Sequence, residues 1–393
     1  MTLFTLLFLA RAQAADPAVT GFGPKGFTIA DASGDNTLNL GLSFQPRLTA
    51  TLNGDSEASD ADALTDAGLR VRRMLFTASG TLAGRIDYRF RIDAARGFTF
   101  TDGDTKSQQA TKPLLDDAQV ILNVGGGLRL SAGQWKVPFT LSQALSDTTL
   151  LFPDRPLPID GAKYGHLKLS GFSWSRDAGV AALGQLAGKR LDYALGAFNG
   201  DGSNVWAPTD DAPLFVARVS VSPLGELKLD EVDFARGAPK LAIGLGGTLE
   251  RPPLYDDAGA RDGAAQDLRA GADLRFAAAG LSVSGEAMYG LLSASDAEDP
   301  TRSLGAYAQV GYFLPVGLAP GLRWARLDPS LDAEDDGLTQ LEAVLNAYLP
   351  DPAKKGETLG HKAQLQLAWT TALQDGLEHP LYHQVQLAAA VGF

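Results

Sequence analysis

The chain lacks cysteine altogether, holds only four histidines in 393 residues, and carries fewer bases than acids, 34 Lys and Arg against 46 Asp and Glu. Without cysteine there is no disulfide chemistry to manage in an oxidising compartment and no thiolate to assist a metal site. His166, His361, His379 and His383 fall in no metal-ligand spacing such as H-E-x-x-H, so no metal and no cofactor are expected. The net charge of -12 argues against a nucleic-acid partner, which needs a basic surface. No stretch of about 18 apolar residues occurs, which excludes membrane-spanning helices. Nucleophile elbow, P-loop and dinucleotide fingerprint are also missing, so the chain is not expected to be an enzyme. Asn199-Gly-Asp-Gly-Ser-Asn204 has the oxygens for calcium but too few acids for a tight site, and reads as a turn.

What the sequence has instead is alternation. In the last segment Val385, Leu387, Ala389, Val391 and Phe393 share one face, and Gln384, Gln386, Ala388, Ala390 and Gly392 share the other. In Asp87–Asp93, Tyr88, Phe90 and Ile92 oppose Asp87, Arg89, Arg91 and Asp93. Phe215, Ala217, Val219 and Val221 oppose Arg218 and Ser220, and Leu268, Leu274 and Phe276 oppose Arg269, Asp273 and Arg275. An apolar outside and a polar inside suit a β-barrel in a membrane rather than a soluble core. An arginine facing lipid would cost about 2–4 kcal/mol at midplane, so the charged face must be the lumen.

Residues 1–14 resemble a signal peptide ending in Ala12-Gln13-Ala14, and 15–36 a short polar periplasmic lead. From 37 to 393 the alternation predicts an all-β, transmembrane antiparallel barrel of about sixteen strands: 37–52, 68–80, 84–96, 114–124, 127–137, 175–187, 189–199, 213–222, 240–251, 267–278, 281–292, 303–313, 320–328, 338–349, 358–371 and 381–393. Short connections such as 125–127 alternate with long ones such as 138–174, which puts both termini at the periplasmic rim and export in the outer membrane. The connection 223–239 is long for a turn and is expected to be a small periplasmic excursion. Pro46 cannot donate to a ladder, which predicts a bulge or edge position there. Tyr312, Phe313, Tyr348 and Phe393 at one set of strand ends, with Phe198, Tyr289, Trp369 and Tyr382 at the other, suggest aromatic girdles. The acidic loops 53–67 and 329–337 are solvated, or contact lipopolysaccharide through divalent ions.

The same alternation gives the pore-lining candidates Arg73, Arg89, Arg91, Arg129, Lys136, Arg218, Arg269, Arg275 and Lys362. Each could attract an anion or simply pair with a carboxylate in the wall, since Asp87, Asp93, Asp192, Asp273 and Glu286 share that face.

Gly133-Gln-Trp-Lys136-Val-Pro138-Phe139 resembles the G-x-x-K-x-P-F strand end of the phosphate-selective porin O and P family. Leu151-Phe152-Pro153-Asp154-Arg155 is similar to its Phe-x-x-Arg stretch, Arg176-Asp177-Ala178-Gly179 to its R-D-x-G, and Phe198-Asn199-Gly200-Asp201-Gly202 to its F-N-G-x-G turn. The paired Arg72-Arg73 fits as well, and Phe393 resembles the terminal aromatic assembly signal of outer-membrane proteins. The resemblance implies a homotrimeric porin whose third long loop, 138–174, folds into the lumen, and whose inward arginines and lysines draw phosphate or polyphosphate. Passive diffusion of small anionic solutes is then the expected function. The alternatives are a plugged barrel serving as receptor, adhesin or envelope anchor, and a soluble β-sandwich, which the apolar outer face disfavours.

Overall fold

The computed structural model describes residues 19–23, 26–53, 64–97, 115–164, 167–205, 210–255, 261–293, 299–354 and 356–393. The expected signal peptide and most of 53–67 and 97–113 lie outside the described residues. Sixteen strands make the wall. They are β1 Thr37–Asn53, β2 Leu64–Leu82, β3 Ile86–Asp93, β4 Leu115–Gly125, β5 Leu128–Lys136 and β6 Arg176–Leu186. Then come β7 Leu191–Phe198, β8 Leu214–Val221, β9 Lys240–Glu250, β10 Gln266–Ala278 and β11 Leu281–Ser293. The last are β12 Thr301–Tyr312, β13 Leu318–Asp328, β14 Leu338–Tyr348, β15 Ala363–Gln374 and β16 Tyr382–Gly392.

Each strand pairs antiparallel with its neighbours in sequence, and β16 returns to β1 through Tyr382↔Asn53 to Gly392↔Ser43. The barrel is therefore closed and leaves no open edge in the wall, the condition for strands to cross a bilayer. Residues 19–36, expected as a plain lead, hold a hairpin. Val19–Gly23 pairs with Gly26–Ala30, which pairs in turn with Thr37–Leu40 below the end of β16.

Alternation sets the two faces. Leu195, Leu245, Leu322, Leu367 and Leu387 are each at least half exposed on the outside, where acyl chains would cover them. Arg323, Gln366, Gln386 and Asn346, at the opposite parity, are buried. At Pro46 the ladder slips: Gln45 faces Arg73 and Pro46 faces Val71, leaving Arg72 as the extra residue. The bulge turns both Arg72 and Arg73 inward, which a regular strand could not do with neighbouring residues.

Half of the expected girdle faces the other way. Tyr312, Phe393, Tyr289 and Trp369 are exposed on the outside, but Phe313, Tyr348, Phe198 and Tyr382 are buried. Tyr312 and Phe313 are adjacent, so a pleated strand cannot aim both at lipid. Tyr348 shares the parity of buried Val344 and Asn346.

Candidate solute pathway

Arg89 and Arg91 leave β3 on the same face, about 7 Å apart along the strand. Arg91 is buried with its Nε on Thr77 Oγ1 at 3.3 Å, whereas half of the Arg89 side chain is exposed. Arg129 on β5 lies opposite Asn123 and Leu183 and has no ion-pair partner among the described residues. These three and Lys362 line one cavity of about 720 Å3, together with Asp87, Gln119, Thr148 and Thr149. Four cations thus face a single lining carboxylate, and the oxygens of Asp87 accept from neutral donors, Thr81 Oγ1 at 2.8 Å and Asn123 Nδ2 at 2.9 Å. Lys362 belongs to a single 3-10 turn, Gly360–Lys362, and not to the strand expected there; β15 begins one residue later.

Arg89 and Arg91 lie 4.0 and 3.9 Å from Asp117 Oδ2, and the remaining candidates are held more closely. Arg73 donates to Gln45 Oε1 at 3.0 Å. Lys136 Nζ donates to the Leu145 carbonyl at 2.7 Å and lies 3.5 Å from Asp147. Arg218 binds Asp273 at 2.6 Å and the Phe139 carbonyl at 3.0 Å. Arg269 binds Asp267 at 2.6 Å, donates to the Phe172 carbonyl at 3.0 Å, and stacks 4.1 Å over the Trp174 ring. Arg275 donates to the carbonyls of Lys228 and Leu227 at 2.8 and 3.3 Å. Of the carboxylates expected to neutralise these cations, Asp273 does so; Asp192 accepts from Gln185, and Glu286 binds backbone and a tyrosine.

Residues 137–175 connect β5 to β6 and make many of these contacts. Glu286 accepts Leu141 N and Ser142 N, both at 2.6 Å, and Tyr307 Oη at 2.7 Å, so a buried carboxylate pins the first turn of the connection. Asn346 and Gln366 donate to the Leu151 carbonyl at 3.0 and 3.1 Å. Asp154 has its side chain on Arg47 at 2.5 Å and Arg72 at 3.2 Å, and its carbonyl on both terminal nitrogens of Arg323 at 3.1 Å. Burial alone would raise the Asp154 carboxyl, but Arg47, Arg72 and Arg73 outweigh it and hold it below the usual range. Asp147, between Lys136, Arg155 and Arg176, is held down in the same way.

Small residues in the wall let this connection come close. A Cβ on Gly305 would lie 2.7 Å from Pro158 Cβ, and one on Gly311 2.7 Å from Leu151 Cδ2. Phe152 lies under the Arg323 guanidinium at 4.2 Å and packs with Leu151 against Ala319, Val344 and Ala368. Alternation alone missed Arg72, because the bulge breaks it there, and Arg47 was missed although it keeps the inward parity of Gln45 and Thr49. Arg323 was missed although it sits between outward Leu322 and Trp324, which was signal enough.

The family description "Phosphate-selective porin O and P" matches residues 47–319. A search of curated proteins finds no match. Among solved structures, the outer-membrane channel DcaP of Acinetobacter baumannii superposes with a TM-score of 0.56 at 14% identity, covering 93% of this chain and 99% of its own. The anion-selective porin of Comamonas acidovorans gives 0.58 at 12% identity over 91% of this chain and 100% of its own. OmpT of Vibrio cholerae, in its trimer form, gives 0.52 at 9% over 91% and 99%. Identities this low establish a shared fold alone, but the family match spans more than half the sequence. The chain belongs to the phosphate-selective porin O and P family and is an outer-membrane porin.

Proposed function

We propose that this porin is an anion-biased channel, assembled as a homotrimer with its termini at the periplasmic rim, through which small phosphate-like solutes diffuse. The observation that carries the reading is the clustering of Arg89, Arg91, Arg129 and Lys362 around one cavity of about 720 Å3 whose lining holds one carboxylate side chain. At physiological ionic strength charges are screened over about 8 Å, so a solute is steered only where it passes within that range of a cation. A bore of this lining enforces such passage. Residues 137–175, held to inward-facing side chains of wall strands from β1 to β15, act in this reading as the element that folds into the lumen and sets its width.

Family membership and the Comamonas neighbour, whose name records anion selectivity, support the choice of sign. The alternative of a barrel that only anchors or binds has no corresponding feature among the described residues. The test is a planar-bilayer recording of the refolded protein in a KCl gradient. Discrete steps with a reversal potential biased toward chloride, and block by added inorganic phosphate, are expected. Cation selectivity would overturn the anion reading while leaving the porin in place.

A further inference from the structure

The connection between β8 and β9, residues 222–239, is far longer than the two to five residues a tight strand turn needs. It does not project away from the rim as the sequence suggested. Its middle runs back against inward-facing wall residues and meets the connection 137–175. Glu231 is 4% exposed and its Oε2 accepts Leu151 N at 2.6 Å. Val232 packs with Leu151 and Phe152 against Ala319, Val344 and Ala368. Phe234 meets the rings of Phe313, Tyr348 and His361 at 4.9, 4.8 and 5.1 Å. Polar ties hold the flanks: Asp230 Oδ1 lies 2.9 Å from His361 Nε2, Gly280 N donates to Asp233 Oδ2 at 2.8 Å, and Arg275 donates to the Lys228 carbonyl.

We propose that residues 222–239 form a second constriction, docked on the tip of the 137–175 connection, that closes the β10–β15 side of the bore and confines solutes to the side lined by Arg89, Arg91 and Arg129. The inference rests on the channel reading above. It makes the anion bias a product of two elements: basic residues supply attraction, and the 222–239 segment removes the route that would bypass them. The inner wall behind that segment offers little to select a solute. Ala319, Ala368 and Val344 are neutral, and Arg323 is engaged by Glu342 and the Asp154 carbonyl.

Two variants test this. In the first, residues 224–236 are replaced by a short glycine-containing turn, and barrel folding is checked by heat-modifiable gel migration. Conductance should rise about twofold, as for a water-filled bore whose open section doubles, and the chloride bias should fall. In the second, Leu151→Cys and Val232→Cys are combined in this cysteine-free chain and oxidised in the folded protein. A crosslink that forms readily and leaves conductance at the wild-type level supports the docked state as the conducting one. A folded deletion variant with unchanged conductance and reversal potential, or a cysteine pair that fails to crosslink, overturns the inference while the channel reading stands. A silent wild-type protein overturns the channel reading itself, and this inference with it.

Discussion

The β2–β5 wall and the β11–β15 wall follow the same alternation and use their inner faces in opposite ways. The first presents Arg89, Arg91 and Arg129 to a cavity of about 720 Å3. The second presents Gly305, Gly311, Ala319 and Ala368, over which Leu151, Phe152 and Pro158 pack. A long charged side chain can be covered by another segment only where that segment brings it a partner, as Asp154 does for Arg72 and Arg323, because burying it bare would cost its hydration. Small neutral ones invite a segment in, since removing apolar area from water gains about 25 cal/mol per Å2. The inner face of this barrel is therefore not uniformly polar. Where it is apolar, it serves as a docking surface for connections, and the charged remainder is the candidate solute route.

Asp154 joins the two sides, with its side chain on β1 and β2 and its carbonyl on β13. Asp154→Ala should give the largest effect. It leaves Arg47, which is 2% exposed, without its carboxylate, at a cost of about 3 kcal/mol, the low end for a broken buried pair because Asp154 is itself partly exposed. The expected readout is earlier urea unfolding on heat-modifiable gels and protease cleavage within 137–175. A variant as resistant as wild type would show that the connection is held by its apolar contacts alone. Next in size is Gly305→Val, whose side chain would run into the rigid Pro158 ring and into Phe172. Overpacking of this kind costs about 1–3 kcal/mol. Ser79→Val, on the wall that faces the open cavity, should cost much less. Equal losses at the two positions would erase the distinction between a docking wall and an open one.

The barrel was legible because alternation is local: each residue's face follows from its parity. Strand after strand, including β13 and β16, lies within a few residues of its sequence-based span. Parity also found Arg89 and Arg129. It could not say that Lys136 and Arg275 would be consumed by partners from connections, because those contacts depend on how 137–175 and 222–239 fold back, which no period in the sequence records. It failed at Arg72, where one extra residue shifts the phase. It was misread at Tyr348 and Phe313, where aromatic character was weighed above parity.

Charge reversal sharpens the comparison with a smaller effect on folding. Arg89→Glu with Arg129→Glu turns an excess of three positive charges around the cavity into an excess of one negative. The chloride bias should be lost; Arg129→Glu alone should change stability by about 1 kcal/mol or less, whereas Arg89→Glu brings a carboxylate toward Asp117 and costs more. Arg218→Glu should do the reverse, setting two carboxylates together at Asp273 and harming folding more than selectivity.

The smallest expected effect is one of pH, and it has a definite sign. A free aspartate titrates near pH 4. Because its guanidinium neighbours hold the Asp154 carboxyl below that value, the anchor's contribution is complete above about pH 4 and is lost as pH falls through the lowered value. Conductance should therefore be flat from pH 8 to about pH 4 as far as this anchor is concerned, and change only in stronger acid. Asp154→Asn should behave at neutral pH as the wild type does in that acid. A wild-type transition at milder pH that disappears in Glu231→Gln would point instead to Glu231, whose carboxyl burial pushes up despite the amide it accepts from Leu151. In that case the pH-sensitive joint would lie between the two connections and not between a connection and the wall.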